Sequence, residues 1–298
     1  MLEVRTAISP TPAFFHAVRI IAASVREFYP DAVMHVKIGA DSWPRDVAKI
    51  LPWEDDGSIE WSWVPRDEFN RWRGTRYPYI ATATNRFRPP FKGDHILSLD
   101  ADVICIRRFD ELFSMRGISG MMTHVAPMPN HGWRQLFAGF GLGEPREWHQ
   151  HSAHGIMQNR DDCRVSPPYF NSGMVFGPRE HMENLWAPYQ DALDYLPSVM
   201  ADTYWFDQIG LALAMAKADV QTNALPMRYN FANQQSFEQA FPAELADIRF
   251  LHFMREDVLH RQRDFADEGA IRRLTERKDL AGTNELLRQR IASLLAPA

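Results

Sequence analysis

Through its first third the chain alternates short apolar runs with segments of helical spacing, and few folds accommodate that pattern. Val4 to Ile8 is a strand-like run ended by Ser9-Pro10-Thr11-Pro12. Thr11 can cap a helix with Pro12 at its first position, and Phe14 to Phe28 then has the apolar spacing of a buried helix. After the turn residue Asp31, Val33 to Ile38 alternates as a strand. Ile59, Trp61 and Trp63 alternate with Glu60 and Ser62, which gives a strand with one apolar face. A helix over Tyr79 to Phe87 must stop before Pro89-Pro90, and His95 to Leu99 is another buried strand. The alternation predicts an α/β domain with a mostly parallel sheet flanked by helices. Ligands of such sheets bind beyond the carboxyl ends of the strands.

Regular periodicity fades from Thr123 to Pro168, where Pro, Gly, His, Trp and Asn crowd together, as expected of a binding surface or lid. Tyr169 to Phe176 resumes as a strand, helices follow at Glu180 to Tyr195 and Tyr204 to Lys217, and Val220 to Ala224 and Ile248 to His252 are late strands. With no internal repeat or low-complexity segment, the simplest division is one catalytic domain over residues 1–255 and a C-terminal helical extension over 256–298.

The net charge of −5 argues against a nucleic-acid partner held by broad phosphate neutralisation. No apolar stretch approaches the ~20 residues of a membrane span, and the charges from Asp267 onward are mixed in sign, as on solvated helix faces. The N-terminus lacks the charged-then-apolar order of a signal peptide, and two cysteines, Cys105 and Cys163, fit a reducing compartment. The expected location is the cytoplasm.

Directly after the strand ending at Leu99 come Asp100, Ala101 and Asp102, two carboxylates one residue apart. On an extended chain both leave the same side and repel unless a cation lies between them, and hard divalent ions prefer oxygen ligands. A pair of solvated turn aspartates is the plain alternative. His252, at the end of a presumed strand, can complete an oxygen and nitrogen set suited to Mn²⁺, or be a partly buried histidine bonded to a carbonyl. Asn171-Ser172-Gly173 places a small polar turn inside an apolar strand, where glycine permits close approach or a bulge. Asp207 and Gln208 open a helix, either to meet a ligand or to suit the helix dipole. Arg86 is either a bidentate anion ligand or an exposed helix arginine. Gly139-Phe140-Gly141-Leu142-Gly143 lacks a preceding strand and is no dinucleotide fingerprint. His149, His151 and His154 suit an acceptor-facing loop better than structural zinc.

An apolar strand into D-x-D, then F-N-S-G, D-Q, Leu225-Pro226 with Tyr229-Asn230-Phe231, and a late strand ending in His occur here in that order over Val4 to His252. The order resembles glycosyltransferase family 8, the glycogenin and lipopolysaccharide galactosyl- and glucosyltransferase group of GT-A fold. The resemblance implies a retaining, metal-dependent transfer of a hexose from a nucleoside-diphosphate sugar, UDP-glucose or UDP-galactose, to a glycan, lipid-linked or protein acceptor. By it, Asp100, Asp102 and His252 bind Mn²⁺ (or Mg²⁺) and Ala7, Ile8 and Ser9 lie against base and ribose. Arg86 and Ala101 reach the donor, Asn171, Ser172 and Asp207 line the sugar pocket, and Gln208 stands near the reacting face. The family's lysine after the late histidine is missing, with Arg255 as its possible substitute. A nucleotidyltransferase would carry a glycine-rich basic loop after the first strand, which Ser9-Pro10-Thr11-Pro12 is not. A non-catalytic nucleotide-sugar-binding protein stays open.

Overall fold

A computed structural model describes residues 1–40, 51, 57–69, 71, 80–201, 205–253 and 258–296. The strands are β1 (Leu2–Ile8), β2 (Val33–Ala40), β3 (Ile59–Pro65), β4 (His95–Leu99), β5 (Val103–Cys105), β6 (Ile118–Met122), β7 (His149–Gln150), β8 (Val165–Ser166), β9 (Phe170–Pro178), β10 (Thr222–Leu225), β11 (Phe231–Ala232) and β12 (Phe250–His252). The helices are α1 (Pro12–Arg26), α2 (Arg66–Phe69), α3 (Ile80–Asn85), α4 (Asn130–Gly139), α5 (Arg179–Val199), α6 (Phe206–Lys217), α7 (Gln235–Ala240), α8 (Pro242–Ala246), α9 (Arg261–Asp264), α10 (Glu268–Glu276) and α11 (Gly282–Leu295).

Seven strands form one sheet in the order β10-β6-β9-β4-β1-β2-β3. It is parallel except for β9, which runs antiparallel between β4 and β6. β1 is buried along its whole length. One of its faces packs Val4 and Ile8 against Phe15, Val18 and Ile21 of α1. Its other face buries a charge pair, in which Arg5 Nη1 donates to Glu3 Oε1 at 2.8 Å. The second Glu3 oxygen accepts from the backbone of Gly93 at 2.8 Å, and Arg5 donates to the Pro90 carbonyl at 3.1 Å. The pair therefore fixes the approach to β4: both Glu3 oxygens and both terminal nitrogens of Arg5 are hydrogen-bonded, as buried charges require, while Arg5 Nε stays without a partner.

The cap at Thr11 forms as the sequence predicts, its hydroxyl accepting from Phe14 N–H at 3.4 Å with Pro12 in the first turn. The helix expected over Tyr79 to Phe87 runs Ile80–Asn85, with Tyr79 outside the described residues. The stretch from Thr123 to Pro168 holds more regular structure than its composition suggests. Its helix α4 buries Trp133, Leu136 and Phe137, spaced to share one face, and β7 pairs with β8. β6 escapes sequence detection because Ile118-Ser119-Gly120-Met121-Met122 is buried at every position and carries a glycine. A Cβ on Gly120 would come within 2.7 Å of the Phe170 ring of β9, so only glycine allows this close pairing.

A second sheet, β11-β12-β5, stands beside the end of β4. Its antiparallel register sets His252 opposite Val103, and Phe253 N–H donates to Asp102 O at 2.9 Å. Helices α10 and α11 share a core with α1 and this small sheet, through Ile20, Ile104, Leu251, Leu274, Leu287 and Ile291 among others. Among the described residues no helix is long and apolar enough to cross a membrane.

Arg290 of α11 straps that core together. Its Nε donates to Cys105 O at 3.0 Å, Nη2 to Ser24 O at 3.1 Å and Nη1 to Glu27 Oε2 at 2.7 Å. Arg290→Met keeps the stem but leaves two buried carbonyls without these donors. The expected loss is about 2–4 kcal/mol in urea unfolding. A loss near zero would show that apolar contacts alone hold the helix.

Candidate active site

The turn Asp100-Ala101-Asp102 links β4 of the large sheet to β5 of the small one, so the two carboxylates sit where the sheets meet. Asp100 N–H donates to Gly173 O at 2.9 Å, and Val103 N–H to Asp100 O at 3.2 Å, which closes the turn. The antiparallel β9 thereby brings Asn171, Ser172 and Gly173 alongside the aspartates. Behind them His252 Nε2 lies 3.2 Å from Asp102 Oδ1 and 4.0 Å from Asp100 Oδ2. Among the described residues Asp100, Asp102 and His252 are the group whose donor atoms, all within 4.8 Å of one another, could hold a metal ion.

The orientation of the imidazole follows from a relay. Asn171 Oδ1 accepts from Gly173 N–H and from Asn230 Nδ2, both at 2.9 Å. The Asn230 oxygen is thus turned to His252 Nδ1, 2.9 Å away, and accepts a hydrogen bond from it. With Nδ1 so engaged, the ring directs Nε2 at the two carboxylates: carrying a proton it donates to Asp102, and without one it offers a lone pair to a cation held between them. The two carboxylates and the imidazole thus converge on one point, and the amide behind the ring is the kind of outer-shell partner that metal-bound histidines have. Gly173 serves this arrangement, since a Cβ there would lie 2.5 Å from His252 Cε1.

Each aspartate also has a guanidinium. Arg86, 1% exposed at the end of α3, places Nη1 2.7 Å from Asp100 Oδ1 and Nε 3.3 Å from Ala83 O. It is therefore a buried partner of Asp100. Arg261 of α9 donates from Nη1 to Asp102 Oδ2 at 2.6 Å. Burial would by itself raise the Asp102 pKa, but His252 and Arg261 outweigh it and hold the carboxyl well below its ordinary range. Sequence reasoning missed Arg261, because a four-residue helix far along the chain carries no periodic signal toward Asp102.

Across the same cleft, Asp207 and Gln208 occupy the first turn of α6. Ser172 Oγ donates to Asp207 Oδ2 at 2.7 Å and Tyr189 Oη to the Asp207 carbonyl at 3.0 Å. Asp207 Oδ1 and Gln208 Oε1 are buried without a hydrogen bond. Burial pushes the Asp207 carboxyl up to about 6, against the lowering effect of Ser172.

The cleft these groups line has a volume of about 230 Å³ and also includes Ala7, Phe14, Ala101, Trp205 and Arg261. Of the β1 end, Ala7 faces the cleft, Ile8 is turned into the core and Ser9 is exposed. Arg255 lies outside the described residues. His149 pairs with Glu147 and His151 bonds Thr123, so the histidines of that loop form no metal-holding group among the described residues. A larger groove of about 580 Å³, between the segment after α4 and the end of α6, has charges that pair with one another, Arg146 with Asp219 and Glu147 with His149. The convergent, unsatisfied chemistry lies in the smaller cleft.

The whole chain is similar in fold to the galactosyltransferase LgtC in complex with donor and acceptor sugar analogues. The TM-score is 0.58 at 16% identity, over 100% of this chain and 98% of that one. An active-site mutant of LgtC gives a TM-score of 0.60 with the same identity and coverage. No curated protein sequence matches the chain. The architecture is thus the GT-A fold, and the resemblance to glycosyltransferase family 8 is borne out. A family model described as the Rhodobacterales glycosyltransferase domain matches residues 18–219, more than half of the sequence, and the chain belongs to that family of glycosyltransferases.

Proposed function

We propose that the chain transfers a hexose from a nucleoside-diphosphate sugar, UDP-glucose or UDP-galactose, to a hydroxyl of a glycan, lipid-linked or protein acceptor, with retention. The observation that carries this reading is the pairing, across one cleft, of a converging Asp100–Asp102–His252 set with the unsatisfied oxygens of Asp207 and Gln208. The first suits a divalent cation, Mn²⁺ or Mg²⁺, and the second suits sugar hydroxyls, which donate. When bound, the cation supplies positive charge to the departing diphosphate.

The protein's own groups do the rest. Arg86 sets the orientation of Asp100 and adds charge beneath the diphosphate, and Ala7 offers a small flat wall for the nucleoside. Ala101, Asn171 and Ser172 line the donor side, with Ser172 orienting Asp207. Gln208, an amide, forms no stable ester with the sugar. We therefore favour front-face attack: the bond from C1 to the diphosphate oxygen breaks, the acceptor oxygen bonds C1 from the same side, and its proton passes to the leaving phosphate. Two buried free thiols, Cys105 and Cys163, support a cytoplasmic setting.

The direct test incubates the chain with UDP-glucose or UDP-galactose and Mn²⁺, without acceptor, and measures slow UDP release. Asp102→Ala should abolish it; release at the wild-type rate would overturn the metal assignment. Asn230→Ala removes the oxygen behind His252 and should weaken Mn²⁺ binding by about 10–100-fold in calorimetry, with the fold intact. Asp207 gives a prediction in pH. Its folded pKa lies above the ordinary 3.8, so the cost of burying its charge is absent below pH 3.8 and complete above about 6. Asp207→Asn, which keeps an acceptor for Ser172, should match wild-type stability near pH 3.5. It should exceed it by up to about 3 kcal/mol at pH 8 in urea unfolding.

A further inference from the structure

Asp102 cannot serve a divalent cation and Arg261 equally at the same time. Its Oδ1 faces His252 at 3.2 Å, and its Oδ2 is held by Arg261 Nη1 at 2.6 Å. A guanidinium in that place repels a cation arriving between Asp100, Asp102 and His252 and occupies half of one ligand. The two arginines of the site differ in exposure. Arg86 is buried and tied to Ala83 O, whereas the Arg261 side chain is about a third exposed and stands on the four-residue α9. Arg261 also lines the cleft, so its guanidinium borders the space a diphosphate would enter.

We propose that Arg261 is an exchangeable counter-ion of Asp102 that couples cation binding to diphosphate binding. This rests on reading the cleft as the donor site. Without a donor, the guanidinium satisfies Asp102 and keeps divalent cations weakly held. A diphosphate offers the guanidinium two anionic oxygens in the fork geometry it favours, and Asp102 is released to the cation. Linkage then requires that each ligand tighten the other by the same factor.

The test is equilibrium binding on the full chain. Mn²⁺ affinity is measured by electron paramagnetic resonance with and without UDP, and UDP affinity by calorimetry with and without Mn²⁺, correcting for Mn²⁺–UDP association in solution. Wild type should show mutual tightening of about 5–150-fold. In Arg261→Gln, Mn²⁺ alone should bind on the order of tenfold tighter, UDP with Mn²⁺ weaker, and the coupling factor should approach one. Arg261→Lys, which retains a cation, should restore part of the coupling. A glutamine variant that melts with wild type yet keeps full coupling, or binds Mn²⁺ alone no tighter, overturns the exchange and leaves the donor-site reading standing. Failure of wild type to bind either Mn²⁺ or UDP overturns both.

Discussion

Keeping Asp102 ionised in the protein interior is the constraint around which the site is built. The carboxyl is 5% exposed, and burial opposes its charge. It persists because an imidazole and a guanidinium reach it from two different parts of the chain. The imidazole reaches it through the small sheet. β5 carries the backbone away from the aspartate pair, and β12 returns beside it in the one register that puts His252 next to Asp102. The antiparallel β9 then supplies the third wall, with a glycine where the imidazole passes and an asparagine whose oxygen starts the relay to it.

Opposite charges are used differently on the two sides of the cleft. On the aspartate side every anion has a cationic neighbour. On the α6 side, Asp207 has a hydroxyl and no cation within ion-pair distance among the described residues, so burial prevails and raises its proton affinity. A site built to hold a highly charged leaving group at one end and a neutral polyol at the other would show this division, since sugar hydroxyls need acceptors more than they need charge.

Much of this was legible in the sequence. The strand–helix alternation gave the fold class, and D-x-D after an apolar strand, with His252 ending another, marked the side chains that the structure brings within ligand distance. Strand direction was not legible. β9 is buried on both faces, and a uniformly apolar run has no feature that says which way it lies between β4 and β6. Arg86 was ambiguous because a helix end does not reveal whether its arginine turns inward. Arg261 and the relay through Asn230 were invisible for a common reason: their partners lie far away in sequence, and neither short segment has a periodicity of its own. The glycine at 173 was readable as a site of close approach, though the group that approaches is the protein's own imidazole.

The dependence of Asp102 on β12 bears on the order in which the molecule can mature. As a ribosome delivers the chain from its N-terminus, β1, α1, β2 and β4 emerge together with both aspartates, long before the imidazole exists outside the tunnel. β9 adds the asparagine and the glycine gap, which at that stage frames an empty slot. Only when β12 pairs with β5, and α9 follows, does the interior carboxylate acquire both partners. A chain that has emerged only as far as β9 therefore carries the aspartate motif without the partners that complete it.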